Sequence, residues 1–130
     1  MKITTIHNIT HDDLIKSFPR VFKKVQYIEC GEGWYYLLHQ LFSAVEHYIE
    51  HYIPQELQEG IYLAQCKEKF GTLRVYMEQS IPFIDGAIAL AELMSGKICE
   101  DCGAIGQRRS GGWIRTLCNN CFDIRNKERV

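Results

Sequence analysis

Long apolar runs are missing from this 130-residue chain. No stretch approaches the ~18 residues that cross a bilayer as a helix, so no membrane span is expected. The N-terminus, Met1-Lys2-Ile3-Thr4-Thr5, has neither an apolar core nor a small-residue cleavage site, which predicts no secretory signal and a cytoplasmic location. Low-complexity sequence is absent and prolines number only three, which argues against a disordered or polyproline chain. Net charge is almost nil: 15 Lys/Arg against 16 Asp/Glu gives −1, too little for indiscriminate binding to polyanions. Histidine is scarce and one-sided, because His7, His11, His39, His47 and His51 all lie in the first 51 residues. With 46% hydrophobic residues the chain can still build a real core, and its length fits one domain.

What the chain does have is six cysteines, four of them in two pairs, Cys99-Glu-Asp-Cys102 and Cys118-Asn-Asn-Cys121. A two-residue gap lets both thiolates of a pair reach one metal ion. The fifteen residues between the pairs are enough for a hairpin that brings the second pair round. In a chain with no export signal, such pairs point to a tetrahedral structural Zn²⁺ site rather than disulfides. Four cysteines saturate zinc and leave no position for a catalytic water, so the metal is read as structural and the protein as non-enzymatic. The zinc-deaminase pattern is excluded, since no proline precedes either pair, and a His-based nuclease is disfavoured because residues 99–130 contain no histidine. Cys30 and Cys66 are left over and are read as buried free thiols.

Periodicity supplies the rest of the fold. Thr10 and Asp13 form a capping box that predicts a short helix to about Ser17, ended by Pro19. Residues 1–9 alternate weakly, as a short strand or extended arm, and residues 20–30 suit a helix or a strand equally. Gly31-Glu-Gly33 reads as a break. Trp34, Leu37, Leu38, Leu41, Val45, Tyr48, Ile49 and Tyr52 then recur at helical spacing, predicting a core helix over 34–52 with His39, His47, Glu46 and Glu50 on its wet face. His47 and His51 share a helical face and are a weaker candidate for a metal or small ligand, with His39 nearby. Strands are predicted at 61–67 and 72–78, with Leu73, Val75 and Met77 inward and Gly71 in the turn. The turn would carry a basic-aromatic tip of Lys67, Lys69, Phe70 and Arg74. A second helix is expected from Pro82 to about Ser95, capped by Gly96 and largely buried through Ile84, Ala87, Ile88, Ala89, Leu90, Ala91 and Leu93.

The reading is therefore an α+β fold: a core domain over 1–97 and a zinc-binding unit over 98–130 packed on it with almost no linker. Gly103 suits the left-handed turn after a zinc knuckle, residues 104–117 suit a hairpin, and residues 122–129 look helical. This order resembles a treble clef, with a zinc ribbon as the alternative. Residues 99–130 carry six Lys/Arg against four acids, leaving −3 for residues 1–98, although four thiolates around Zn²⁺ return about −2 at the metal. Between the pairs lies Gln107-Arg-Arg-Ser-Gly-Gly-Trp113-Ile-Arg115. Arg108, Arg109, Arg115 and an exposed Trp113 would supply phosphate contacts and base stacking, with Lys67, Lys69 and Arg74 as possible extensions. Alternatively, Trp113 is the anchor that packs the zinc unit onto the domain.

The segments KEKFGTLR (67–74), ICEDCG (98–103) and GGWIRTLCNNC (111–121) together are similar to a group of small phage and prophage-type proteins. The resemblance implies a mobile-element origin and hence a host-cell cytoplasm. It is compatible with DNA or RNA as partner, or with a host defence protein that is inhibited or bridged. It carries over no catalytic residue.

Overall fold

A computed structural model describes residues 8–128; residues 1–7, Arg129 and Val130 lie outside the described residues, so the predicted N-terminal arm is described only from Asn8 onward. Helix α1 (His11–Ser17) opens with the expected capping box. Thr10 Oγ1 accepts from the Asp13 N–H at 3.0 Å, and the Asp13 carboxylate accepts from the Thr10 N–H at 3.0 Å. Helix α2 (Tyr35–Tyr52) follows a single 3-10 turn at Glu32–Trp34, and α3 (Gln55–Gln58) is one turn after Pro54. Strands β1 (Leu63–Lys69) and β2 (Thr72–Met77) form an antiparallel hairpin, and α4 (Pro82–Ser95) packs on both α2 and β2. A second hairpin, β3 (Gln107–Arg109) with β4 (Arg115–Leu117), leads into α5 (Asn119–Glu128). The fold is α+β, as expected, and among the described residues no helix is long and apolar enough to cross a membrane.

The core lies where α2, α4 and the first hairpin meet. Leu38, Phe42, Val45 and Ile49 come from α2, Ile84 and Ile88 from α4, and Leu63, Cys66, Leu73 and Val75 from the hairpin. Leu14, Val21 and Phe22 close it from the N-terminal side. Residues 20–30 are neither helix nor strand. The stretch is a run of turns and extended backbone held from outside: Arg20 and Val21 N–H groups donate to the Glu46 carboxylate at 3.1 Å, and Glu29 makes a parallel bridge beside Lys67. Glu46 is therefore buried rather than on the wet face of α2, because those N–H groups use the carboxylate as their acceptor.

Two predicted stripes are narrower than the sequence implies. Tyr52 is exposed at the end of α2, one turn beyond the last core position. On α4, Ile84, Ile88, Ala91 and Ser95 face inward, which turns Leu90 and Leu93 to solvent and leaves Ala89 exposed. Helical spacing explains this: positions 84, 88, 91 and 95 already fill the one face that α2 and β2 can cover. Gly96 ends α4 with ordinary right-handed backbone, its N–H donating to Leu93 and Met94 carbonyls.

The first strand begins and ends two residues later than predicted and the second ends one residue earlier, leaving only Phe70 and Gly71 as the turn. Both have positive φ, +54° and +84°, the pattern of a two-residue type I′ turn. Phe70 accepts this unusual conformation while Glu68 Oε2 accepts from the Gly71 N–H at 2.8 Å. A side chain at Gly71 would meet the Arg115 backbone at 3.3–3.4 Å, and Thr116 Oγ1 donates to the Gly71 carbonyl at 2.5 Å. The tip of the first hairpin is thus seated on the second.

Candidate metal centre and the hairpin it frames

The first cysteine pair turns tightly. Cys99 N–H donates to Ala104 O at 2.7 Å, Gly103 N–H donates to Cys99 O at 2.9 Å, and Gly103 takes φ +88° as the sequence requires. The second pair straddles the start of α5, where Cys118 Sγ accepts from the Cys121 N–H at 3.4 Å. That backbone N–H is the main reason the Cys118 thiol is drawn down to about 7. Burial, followed by the neighbouring thiols, pushes Cys121 up instead. A shared cation is what would let all four exist as thiolates together.

The four Sγ atoms lie within 4.8 Å of one another, and Cys102 and Cys118 sulfurs are 3.7 Å apart. Four sulfurs at about 2.3 Å around a tetrahedral ion stand about 3.8 Å from each other, so the cage fits such an ion. Cys99 is fully buried and Cys102 is exposed, which sets the centre at the edge of the fold with one side walled by protein. Cys30 and Cys66 are outside this group. Cys66 is buried and Cys30 half-buried, and the Cys30 thiol is held well above the ordinary range by its hydrogen bond with Cys66 and then by burial.

The two residues inside the first pair are both tied to distant parts of the chain. Glu100 is 3% exposed; its carboxylate accepts from the Gly31 N–H at 2.9 Å and from Arg115 Nη1 at 3.2 Å. Burial raises its pKa, and these two donors oppose the rise. Asp101 takes a two-pronged hydrogen bond from Arg125 on α5, at 2.6 and 2.7 Å. One carboxylate thus ties the knuckle to the core and to β4, the other to the last helix. Sequence reasoning missed both roles, because their partners lie 15, 24 and 69 residues away and share no periodic pattern with them.

Gly31-Glu-Gly33 is a cradle rather than a simple break. Gly33 N–H donates to Glu100 O at 2.8 Å, and a side chain at Gly33 would collide with the Cys99 and Glu100 carbonyls. Beside it Trp34, fully buried, donates its Nε1–H to Ile98 O at 2.8 Å. The anchoring tryptophan is therefore Trp34. Trp113, for which anchoring and exposure were both open, is 66% exposed.

The predicted cations separate into two sets. Arg109 is committed internally: it donates to Leu117 O at 3.1–3.2 Å and to Asn119 Oδ1 at 2.7 Å, with its guanidinium 4.5 Å from the Phe122 ring centre. Arg115, paired with Glu100, also lies 5.4 Å from the Trp113 ring. Arg108 reaches out to Phe70 O at 3.0 Å, joining the two hairpins. Among the described residues no carboxylate pairs with Lys67, Lys69, Arg74 or Arg108. Lys67 sits directly opposite Arg74, back from the turn, because the two-residue loop leaves only Phe70 and Gly71 at the tip. Arg74 Nε is buried without a hydrogen-bond partner among the described residues.

His39 packs edge-on against Phe18 at 5.2 Å, while His47 and His51 lie 4.4 Å apart. No third ligand group stands within metal-holding distance of that pair among the described residues. Compared with protein families, curated proteins and solved structures, the chain matches none.

Proposed function

We propose that this is a non-enzymatic nucleic-acid-binding protein of the phage type its motifs resemble, stabilised by one Zn²⁺ on Cys99, Cys102, Cys118 and Cys121. Zinc is favoured by the all-thiolate, four-coordinate donor set, which selects a soft, tetrahedral ion. The ion would hold the knuckle, the β3–β4 hairpin and the start of α5 as one piece. The observation that carries the reading is Trp113, exposed with Arg115 against its ring, with Arg108 on the same hairpin reaching to Phe70 on the adjoining one. Phosphates would contact Arg108, Lys67, Lys69 and Arg74, which have no carboxylate partner among the described residues. Arg109 and Arg115 would shape the surface.

The test is a labelled DNA or RNA 20-mer titrated at low salt. Arg108→Ala with Lys69→Ala should weaken binding several-fold and reduce the slope of log K against log salt by about 2, since each phosphate contact contributes roughly one. Absence of any complex at low salt would remove the reading.

The second reading, a host protein as partner, is supported by a different place. Leu90, Met94 and Tyr36, all exposed, border a largely apolar cleft of about 360 Å³ between α2 and α4, next to Gly103. A stoichiometric, nuclease-insensitive host protein that is lost on Leu90→Glu, together with no nucleic-acid complex, would favour it.

A further inference from the structure

Resting on the nucleic-acid reading, we infer that the partner is single-stranded, with one unpaired base seated against Trp113 in the cleft between the β3–β4 turn and α5. The cleft holds about 270 Å³ and is lined by Arg109, Trp113, Arg115, Phe122 and Arg125, among others. Its aromatic walls each carry a guanidinium, Arg109 at Phe122 and Arg115 at Trp113.

Those two guanidiniums and that of Arg125 are already held: Arg109 by Leu117 O and Asn119, Arg115 by Glu100, and Arg125 by Asp101. They build a preformed slot of flat, polarisable groups instead of a mobile phosphate clamp. A slot of that kind takes a planar base, and a base reaches it only when it is out of a duplex stack. Lys69 Nζ lies 5.7 Å from the ring centre of Phe70, which is 56% exposed and whose carbonyl is bound to Arg108. A strand leaving the slot would cross a second aromatic face before its phosphates met Lys69.

Duplex readout fits poorly. It needs a helix or a two-stranded ribbon with side chains free to reach base edges in the major groove. Here the ribbon has three residues per strand, with Thr116 and Leu117 buried and Arg109 and Arg115 engaged. On α5, Arg125 is committed to Asp101.

The experiment uses the zinc-loaded full chain and its own fluorescence. Of the two tryptophans Trp34 is buried, so quenching on binding reports Trp113. Four 12-mers are compared at low salt: dT, rU, an abasic strand with the same phosphates, and a DNA duplex. The expected result is quenching by dT and rU, with affinity about fivefold or more above that for the abasic strand and the duplex. Followed by the anisotropy of labelled dT, Trp113→Ala should lose that margin and Trp113→Phe should keep most of it. Equal binding of dT and abasic strands overturns the stacking inference while leaving nucleic-acid binding intact. Duplex binding as tight as dT overturns the single-strand inference in the same way. If none of the four binds, the underlying reading fails and this one with it.

Discussion

Trp34 shows how much one side chain decides here. Its ring fills the core at the start of α2, and its single N–H holds Ile98 O, immediately before the first cysteine. Trp34→Phe keeps most of the apolar volume and removes the donor, leaving a carbonyl without its partner. The expected loss is about 1–3 kcal/mol. Because the orphaned carbonyl adjoins Cys99, metal affinity should fall along with the denaturation midpoint; competition with a chromophoric chelator and urea unfolding would read the two. An unchanged metal affinity would mean that the dock and the cage are independent. Glu100 and Asp101 belong to the same scale. Nothing in C-x-x-C spacing marks the two intervening acids as structural, and their value is visible only once Gly31, Arg115 and Arg125 arrive from elsewhere in the chain.

Elements were legible in proportion to how local their causes are. The capping box of α1 and the Pro82-to-Ser95 span of α4 rest on neighbours within a few residues, and the structure has them where the sequence puts them. Core positions of α2 follow its spacing, apart from Glu46, whose burial depends on backbone donors 25 and 26 residues away. Residues 20–30 have no period to read because they are held from outside, by His11, Glu46, Glu59 and strand β1 of the first hairpin. The four cysteines were legible because ligand spacing is itself a local constraint, whereas the choice between Trp34 and Trp113 as anchor was not. Helix α4 also carries an avoidable cost at Gly86, where an added Cβ meets nothing within 4 Å. Gly86→Ala should therefore raise stability by about 0.5–1 kcal/mol, through the flexibility it removes from the unfolded chain. A lower urea midpoint would show that this exposed turn needs its glycine for another reason.

At the scale of the molecule, one metal ion per chain should separate two behaviours. Chelation, or acidification that protonates the thiolates, should release residues 98–128 from their arrangement. The core of α2, α4 and the first hairpin should remain, since none of the four metal-site cysteines belongs to it. Affinity should fall as pH drops, because every ligand must lose its proton to bind. In a Trp113→Phe background, Trp34 emission should shift on metal removal while far-ultraviolet circular dichroism keeps most of its helical signal. Complete loss of helix would show that the core cannot stand without the metal unit.

The cradle at Gly31 and Gly33 has a kinetic consequence. Its contacts with Glu100 close a loop of nearly 70 residues, whereas α2 and the Phe70–Gly71 turn form from neighbours. Contacts that far apart in sequence assemble late, after the local elements have already been built. Interactions made after the folding barrier do little to speed the climb and mainly slow the return. With an ion bound, the Cys99–Cys121 unit is expected to act as a latch that closes on a core already formed, so chelation should speed unfolding far more than it slows refolding.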